Sequence, residues 1–179
     1  MEGEAACVVG IDPGVGGAVA AYDRVAQRWS VHSTPVVPVK RGRTIRREYD
    51  LPEMVRLIRQ LRPLQAVIEQ QGPQPKQGVV AAFGTGAGYY AWQAILVACG
   101  VPYERVRPQV WKAQFGLQGQ PKQMSVLRFV EQVPELGGTL VRVKHHNHAE
   151  AGLLVLWLLA RERKEQDSWC LVRERKEER

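Results

Sequence analysis

The chain reads as one α/β domain in which strands come first and helices enter later. Three observations carry that reading. A short apolar run stops abruptly at Pro13-Gly14, a second closes at Glu69, and the stretch from Ala151 to Ala160 is almost wholly apolar. With 179 residues, 45% of them hydrophobic, the sequence suits a single domain with a sizeable core and leaves no room for a second large one.

The first strand is expected over residues 6–12, where β-branched residues are cut off by Pro13-Gly14. Gly16 and Gly17 open a second strand, Ala18–Asp23, and the short connection makes the pair an antiparallel hairpin. A third strand follows over Arg28–Ser33. The densest basic segment, residues 40–47, is then expected as a mobile loop ahead of a helix over Leu51–Leu61. A strand over residues 65–69 is entered after Arg62-Pro63 and left through Gln70-Gln71-Gly72-Pro73.

A long helix from about residue 78 to 99 comes next, then a strand over 103–107 and a short helix around Trp111. A helix over 123–133 and a final helix from about His146 complete the order, with no internal repeat. Three strands followed by helix, strand and helix is not the order of a doubly wound nucleotide fold. Gly84, Gly86 and Gly88 do not directly follow a strand, so they make a weak dinucleotide signal. They read instead as close helix packing, either inside the monomer or against a second helix near Tyr89, Tyr90 and Trp92.

The chemistry lies in three acids: Asp12 and Glu69 each end a strand, and Glu150 opens an apolar helix. Buried strand ends bring side chains to one edge of a sheet, so the set reads as a carboxylate cluster able to hold divalent cations. Taken singly, Asp12 is also a turn aspartate capping its own backbone, and Glu69 a strand-end glutamate turned to solvent. As a set they read more sharply, because a glutamate directly after Val67-Ile68 sits where its charge needs a partner or a metal. Glycines around Asp12 leave no Cβ in the way of a phosphate or an ion.

The run Lys144-His145-His146-Asn147-His148-Ala149-Glu150 adds imidazoles. A helix beginning near His146 puts that residue and Glu150 on one face, four apart, while His145 is turned away. His145 and His148 read as a polar helix start. Three histidines suggest zinc as a minor alternative, but carboxylate partners suit Mg²⁺ or Mn²⁺.

The ordered set Gly10-Ile11-Asp12-Pro13-Gly14 with Gly17-Ala18, then Val67-Ile68-Glu69, then Trp111-Lys112, then His146 to Glu150-Ala151 resembles the RuvC-like Holliday junction resolvases of the ribonuclease H-like superfamily. Within them it is most similar to the chloroplast-type (monokaryotic chloroplast) resolvases and their bacterial and phage relatives, where a Pro-, Gln- and Lys-Gln-Gly-containing loop follows the strand-end glutamate. Here that loop is Gln70-Gln71-Gly72-Pro73-Gln74-Pro75-Lys76-Gln77-Gly78. The resemblance spans roughly residues 8–160, leaving 161–179 as a charged C-terminal extension.

The resemblance implies a ribonuclease H-like, mixed five-stranded sheet flanked by helices, in a homodimer that nicks two strands of a four-way DNA junction. It implies Asp12, Glu69 and Glu150 as metal-binding acids, His146 as a histidine beside them, and Lys112 as an active-site lysine. Two Mg²⁺ ions per site are expected, with Mn²⁺ as a substitute; such a pair, about 3.5–4 Å apart, favours in-line displacement at phosphorus. Where members often carry Asp-His at the last motif, this chain has His145-His146. A Gly-Ile-Asp-Pro-Gly hairpin is also similar to the phosphate strands of actin- and sugar-kinase-like ATPases, but those need a second copy of the signature, and this chain has one.

A formal net charge of +7 fits a polyanionic partner. Lys40, Arg41, Arg43, Arg46 and Arg47 suit backbone phosphates, as do Lys76 and Lys122, whereas Gln70, Gln74 and Gln77 suit the bases of an opened crossover. Two alternatives stay open: a nuclease of the same fold acting on RNA–DNA hybrid or flap DNA, and a non-catalytic junction-binding protein. Cys7, Cys99 and Cys170 lack metal-knuckle or redox spacing; the first two read as buried free thiols of a reducing compartment. No signal peptide or membrane span is visible, so the default location is cytoplasmic, or chloroplast if a transit peptide has been removed.

Overall fold

The computed structural model describes the backbone of residues 7–177 except 74, 76 and 141–144, and side chains as far as residue 166. The chain runs β1 (Cys7–Asp12), β2 (Ala18–Asp23), β3 (Arg28–Ser33), β4 (Val36–Arg41), β5 (Thr44–Tyr49), α1 (Leu51–Leu61) and β6 (Pro63–Glu69). It continues through α2 (Val79–Ala98), β7 (Tyr103–Val106), α3 (Pro108–Gln114), α4 (Gln123–Gln132), a 3₁₀ turn at Pro134–Leu136 and α5 (His146–Glu177).

The centre is a mixed five-stranded sheet in the order β3-β2-β1-β6-β7. β1, β2 and β3 form an antiparallel meander, and β6 and β7 extend it in parallel from β1. A parallel step needs a long crossover, which α1 supplies between the meander and β6 and α2 between β6 and β7. Asp50 starts α1 by accepting a hydrogen bond from the Glu53 amide at 3.1 Å.

All six residues of β1 are buried, as expected of a strand covered on both faces. Alternation sorts them. Cys7, Val9 and Ile11 join Met54, Ile58, Trp92 and Leu96 in a core under α1 and α2. Val8 faces the other way, into a core built from Trp111, Phe129, Leu154 and Leu158 of α3, α4 and α5. Gly10 is where α5 crosses β1: a Cβ there would lie 2.2 Å from the Ala151 carbonyl oxygen, so a side chain at this position would lift the last helix off the sheet.

The basic segment differs from expectation. Residues 40–47 are not a loop but the tip of a separate two-stranded antiparallel ribbon, β4 paired with β5 from Val36↔Tyr49 to Arg41↔Thr44. Gly42, at φ 60°, supplies the left-handed residue at the first position of a two-residue turn, and Pro38 is tolerated because the ribbon has only edges. The density of charge masks the alternation in Val37, Val39 and Ile45.

Smaller differences follow from caps and pairing. β6 begins two residues early, at Pro63. Gly78 and Cys99 cap α2 rather than belonging to it, and Cys99 is half-buried where Cys7 is buried. Ala6 and the Cys170 side chain lie outside the described residues. α5 continues unbroken past Ala160, and Arg161 and Glu162 are tied back by Glu104 and Arg24. Among the described residues no helix is long and apolar enough to cross a membrane.

Candidate active site

Strand register decides where the acids meet. Ile11 pairs with Ile68 across the parallel β1–β6 ladder, so Asp12 and Glu69 are neighbours at the same end of the sheet. Neighbouring strands lie roughly 4.8 Å apart. Both acids also share the face of Val8 and Val67, which is the face α5 covers. α5 passes over Gly10 at Ala151, so Glu150 arrives at the same edge.

Their environments differ. Glu69, 7% exposed, accepts hydrogen bonds from Trp111 Nε1 at 3.0 Å and from Gln71 Nε2 at 2.6 Å. One oxygen of Glu150, Oε1, takes Ser125 Oγ at 2.9 Å and Lys112 Nζ at 3.3 Å, and its Oε2 accepts no hydrogen bond among the described residues. Among the described residues the Asp12 carboxylate, 9% exposed, accepts one long hydrogen bond, from the Gly14 amide at 3.5 Å.

Burial and mutual repulsion push these acids up. Desolvation, then the negative charge of Glu150, raises the Asp12 pKa from 3.8 to about 6, against opposing pulls from the Gly14 amide, Lys112 and Lys122. Desolvation, then Asp12 and Glu150, raises Glu69 from 4.5 to about 7, opposed by Lys112 and the Trp111 hydrogen bond. Of the two lysines, Lys112 contacts the site directly, through Glu150.

Helix α3 is the hub. Trp111 is fully buried and aims its indole N–H at Glu69, while Lys112, next in sequence, reaches Glu150 and stands 5.1 Å over the Trp111 ring. Arg107-Pro108 starts this helix with proline in its first turn, where the missing amide costs nothing. Sequence reasoning singled out Lys112 but missed Trp111, Ser125 and Gln71 as partners of the acids. No local signal marks Ser125, because its role comes from α4 packing against α5.

The other expected residues are less concentrated. His146 opens α5, one turn before Glu150, and its charge is felt at His148, as are those of His145 and His32. Burial first, then those three imidazoles, lowers the His148 pKa, and His148 Nε2 lies 3.0 Å from Ser33 Oγ. Asn147 hydrogen-bonds the Gly16 carbonyl, tying α5 to the Asp12 turn. Gly17 proves necessary to that turn itself, since a Cβ would meet the Asp12 carbonyl oxygen at 2.1 Å.

Gln70 is exposed beside the site, and Gln77 donates to Thr85 Oγ1 at 3.2 Å. Gln74 and Lys76 lie outside the described residues. Lys40, Arg41, Arg43, Arg46 and Arg47 project from the ribbon, where Arg41 pairs with Glu48 at 2.7 Å. Of the three glycines only Gly88 is packed inside the monomer, where a Cβ would meet the Tyr49 hydroxyl at 2.0 Å, whereas a Cβ at Gly84 or Gly86 would meet nothing within 4 Å among the described residues.

Among the described residues no three His, Cys, Asp or Glu side chains are gathered closely enough to hold a metal ion between them. The donor chemistry nevertheless fits a hard divalent cation: three carboxylates at one edge, two of them buried and each destabilised by a neighbouring carboxylate, with oxygens to spare on Asp12 and Glu150.

No protein-family model matches the chain. No curated protein matches it in sequence. Solved structures do match. Thermus thermophilus RuvC in complex with Holliday junction substrate superposes with a TM-score of 0.50 at 15% identity, over 83% of this chain and 91% of that one. A second Thermus thermophilus RuvC structure gives 0.48 at 15%, over 83% and 92%. The yeast mitochondrial Holliday junction resolvase Ydc2 gives 0.44 at 14%, over 82% and 76%. The mixed five-stranded sheet with flanking helices is thus the ribonuclease H-like fold of RuvC.

Proposed function

We propose that this protein is a structure-selective endonuclease that resolves four-way DNA junctions by metal-dependent phosphodiester hydrolysis. The observation that carries the reading is the convergence of Asp12, Glu69 and Glu150, with Lys112, at one sheet edge of a fold shared with a junction-bound RuvC. Asp12, Glu69, Glu150 and, one turn away, His146 would hold Mg²⁺, which activates water and neutralises charge at phosphorus when bound. Lys112 supplies a positive charge for the scissile phosphate, and Ser125 and Trp111 fix the acids' rotamers. The loop after Glu69 carries the affiliation with chloroplast-type enzymes.

A homodimer belongs to the same reading. Phe83, Tyr90 and Val97 are spaced seven apart on α2 and all lie exposed, the pattern of a helix seam awaiting a second copy. The basic ribbon, standing apart from the sheet, serves as a phosphate grip.

Incubating the protein with Mg²⁺ and a four-way junction, beside a duplex, a flap and an RNA–DNA hybrid, tests the function. Paired nicks confined to the junction support it. Preferential cutting of the flap or hybrid, or junction binding without any cleavage, would overturn it in favour of another nuclease or a binding protein.

A further inference from the structure

Tyr49 ends β5, the strand that also carries Arg46 and Arg47. Its hydroxyl lies 3.3 Å from the carbonyl oxygen of Pro13 and 3.1 Å from that of Gly84. A phenol has one proton to donate, so the group is shared between the turn that follows Asp12 and the helix α2. The seat is built for it: Gly88 gives its missing side chain to the Tyr49 ring tip and to the Pro13 carbonyl, which a Cβ would approach to 2.3 and 2.5 Å. Tyr49 is half-buried and packs against the core under α1 and α2.

Asp12 needs such a clamp more than the other acids do. Glu69 and Glu150 are each held by two side-chain donors, whereas among the described residues the Asp12 carboxylate accepts one long hydrogen bond, from the Gly14 amide at 3.5 Å. Its position is set through its backbone, which the Gly17 amide closes onto the Gly14 carbonyl at 2.8 Å and Asn147 holds at Gly16. Tyr49 is the side chain that reaches this turn from the ribbon.

Resting on the endonuclease reading, we infer that Tyr49 is a positioning residue, which holds the Asp12 turn in place from the base of the DNA-gripping ribbon. Phosphate binding and acid placement then share one six-residue strand. Its hydroxyl is spent on two backbone carbonyls, so it acts on turnover and not on affinity.

The test is Tyr49→Phe in the full chain, compared with the unaltered protein. Amide hydrogen exchange without DNA or divalent cation should rise about five- to tenfold at Gly14, Gly16 and Gly17, the size of one neutral hydrogen bond. Single-turnover cleavage of a four-way junction in Mg²⁺ should fall by a similar factor, while affinity measured without divalent cation stays within about twofold. Gly88→Ala, which displaces the ring, should reproduce the exchange result. Unchanged exchange at the turn, or a loss of affinity in place of rate, would overturn the inference. Failure of the unaltered protein to cut any junction would instead overturn the endonuclease reading, and exchange would still decide the clamp.

Discussion

The two regions proposed to act on DNA are built on opposite physical principles. At the acidic edge of the sheet, charge is taken out of water, held by specific donors and raised in energy. In the β4–β5 ribbon the charges stay solvated and rest on two strands that, among the described residues, pair with each other and not with the central sheet. A buried charge responds to one missing proton or donor, whereas an exposed one contributes a screened share of a sum. Chemistry belongs in the first setting and grip in the second.

The sharpest way to break the contrast is to neutralise one acid. Asp12→Asn or Glu69→Gln should reduce junction cleavage to background, leave binding intact or tighter, and raise the melting temperature of the metal-free protein at neutral pH. The loss of cleavage follows from removing a carboxylate proposed to hold Mg²⁺, and the other two from removing a buried charge that its neighbours repel. Normal cleavage in either variant would take that acid out of the site, and unfolding would make it structural.

Trp111→Phe keeps a ring in the core but removes the donor to Glu69. Cleavage should fall about ten- to a hundredfold, and because that hydrogen bond holds the Glu69 pKa down, the acid limb of the rate profile should move to higher pH. A lower rate with an unmoved profile would mean a packing defect alone.

The metal-free protein should also respond to pH by itself. Both acids have folded pKa values above their unfolded ones, so they bind more protons when folded, and stability is lost as pH rises from about 4 through about 7. The loss should be on the order of a few kcal/mol, seen in thermal melts with a chelator present. Mg²⁺ should flatten the slope. Melts that are flat over this window would show that the acids are not strained by burial.

The smallest effect on rate belongs to the ribbon. Replacing Arg43, Arg46 and Arg47 by alanine should weaken junction affinity on every sequence and reduce the salt slope by about one for each phosphate left without its arginine. Cleavage at saturating enzyme and the melting temperature should barely change. A collapse of saturated turnover would show that the two regions are not separable.

Most of the architecture was legible locally. β2, β3 and α1 fall where the sequence puts them, because alternation, Pro-Gly breaks and an Asp cap act within a few residues of each other. The three acids stood out because an ionisable group at the end of an apolar strand, as at Asp12 and Glu69, or at the opening of an apolar helix, as at Glu150, is a local anomaly. The ribbon was missed because its arginines, exposed on both edges, imitate a solvated loop. What pairs with each acid was not legible at all. Trp111 lies 42 residues from Glu69, Ser125 25 from Glu150 and Tyr49 36 from Pro13, and no pattern of neighbours along the chain encodes contacts across such loops. The sequence alone determined which groups carry charge and where most of the helices and the strands of the central sheet lie. The parallel register of β1 with β6 and the crossing of α5 over Gly10 decided which groups meet, because burial and repulsion arise only between side chains that packing brings together.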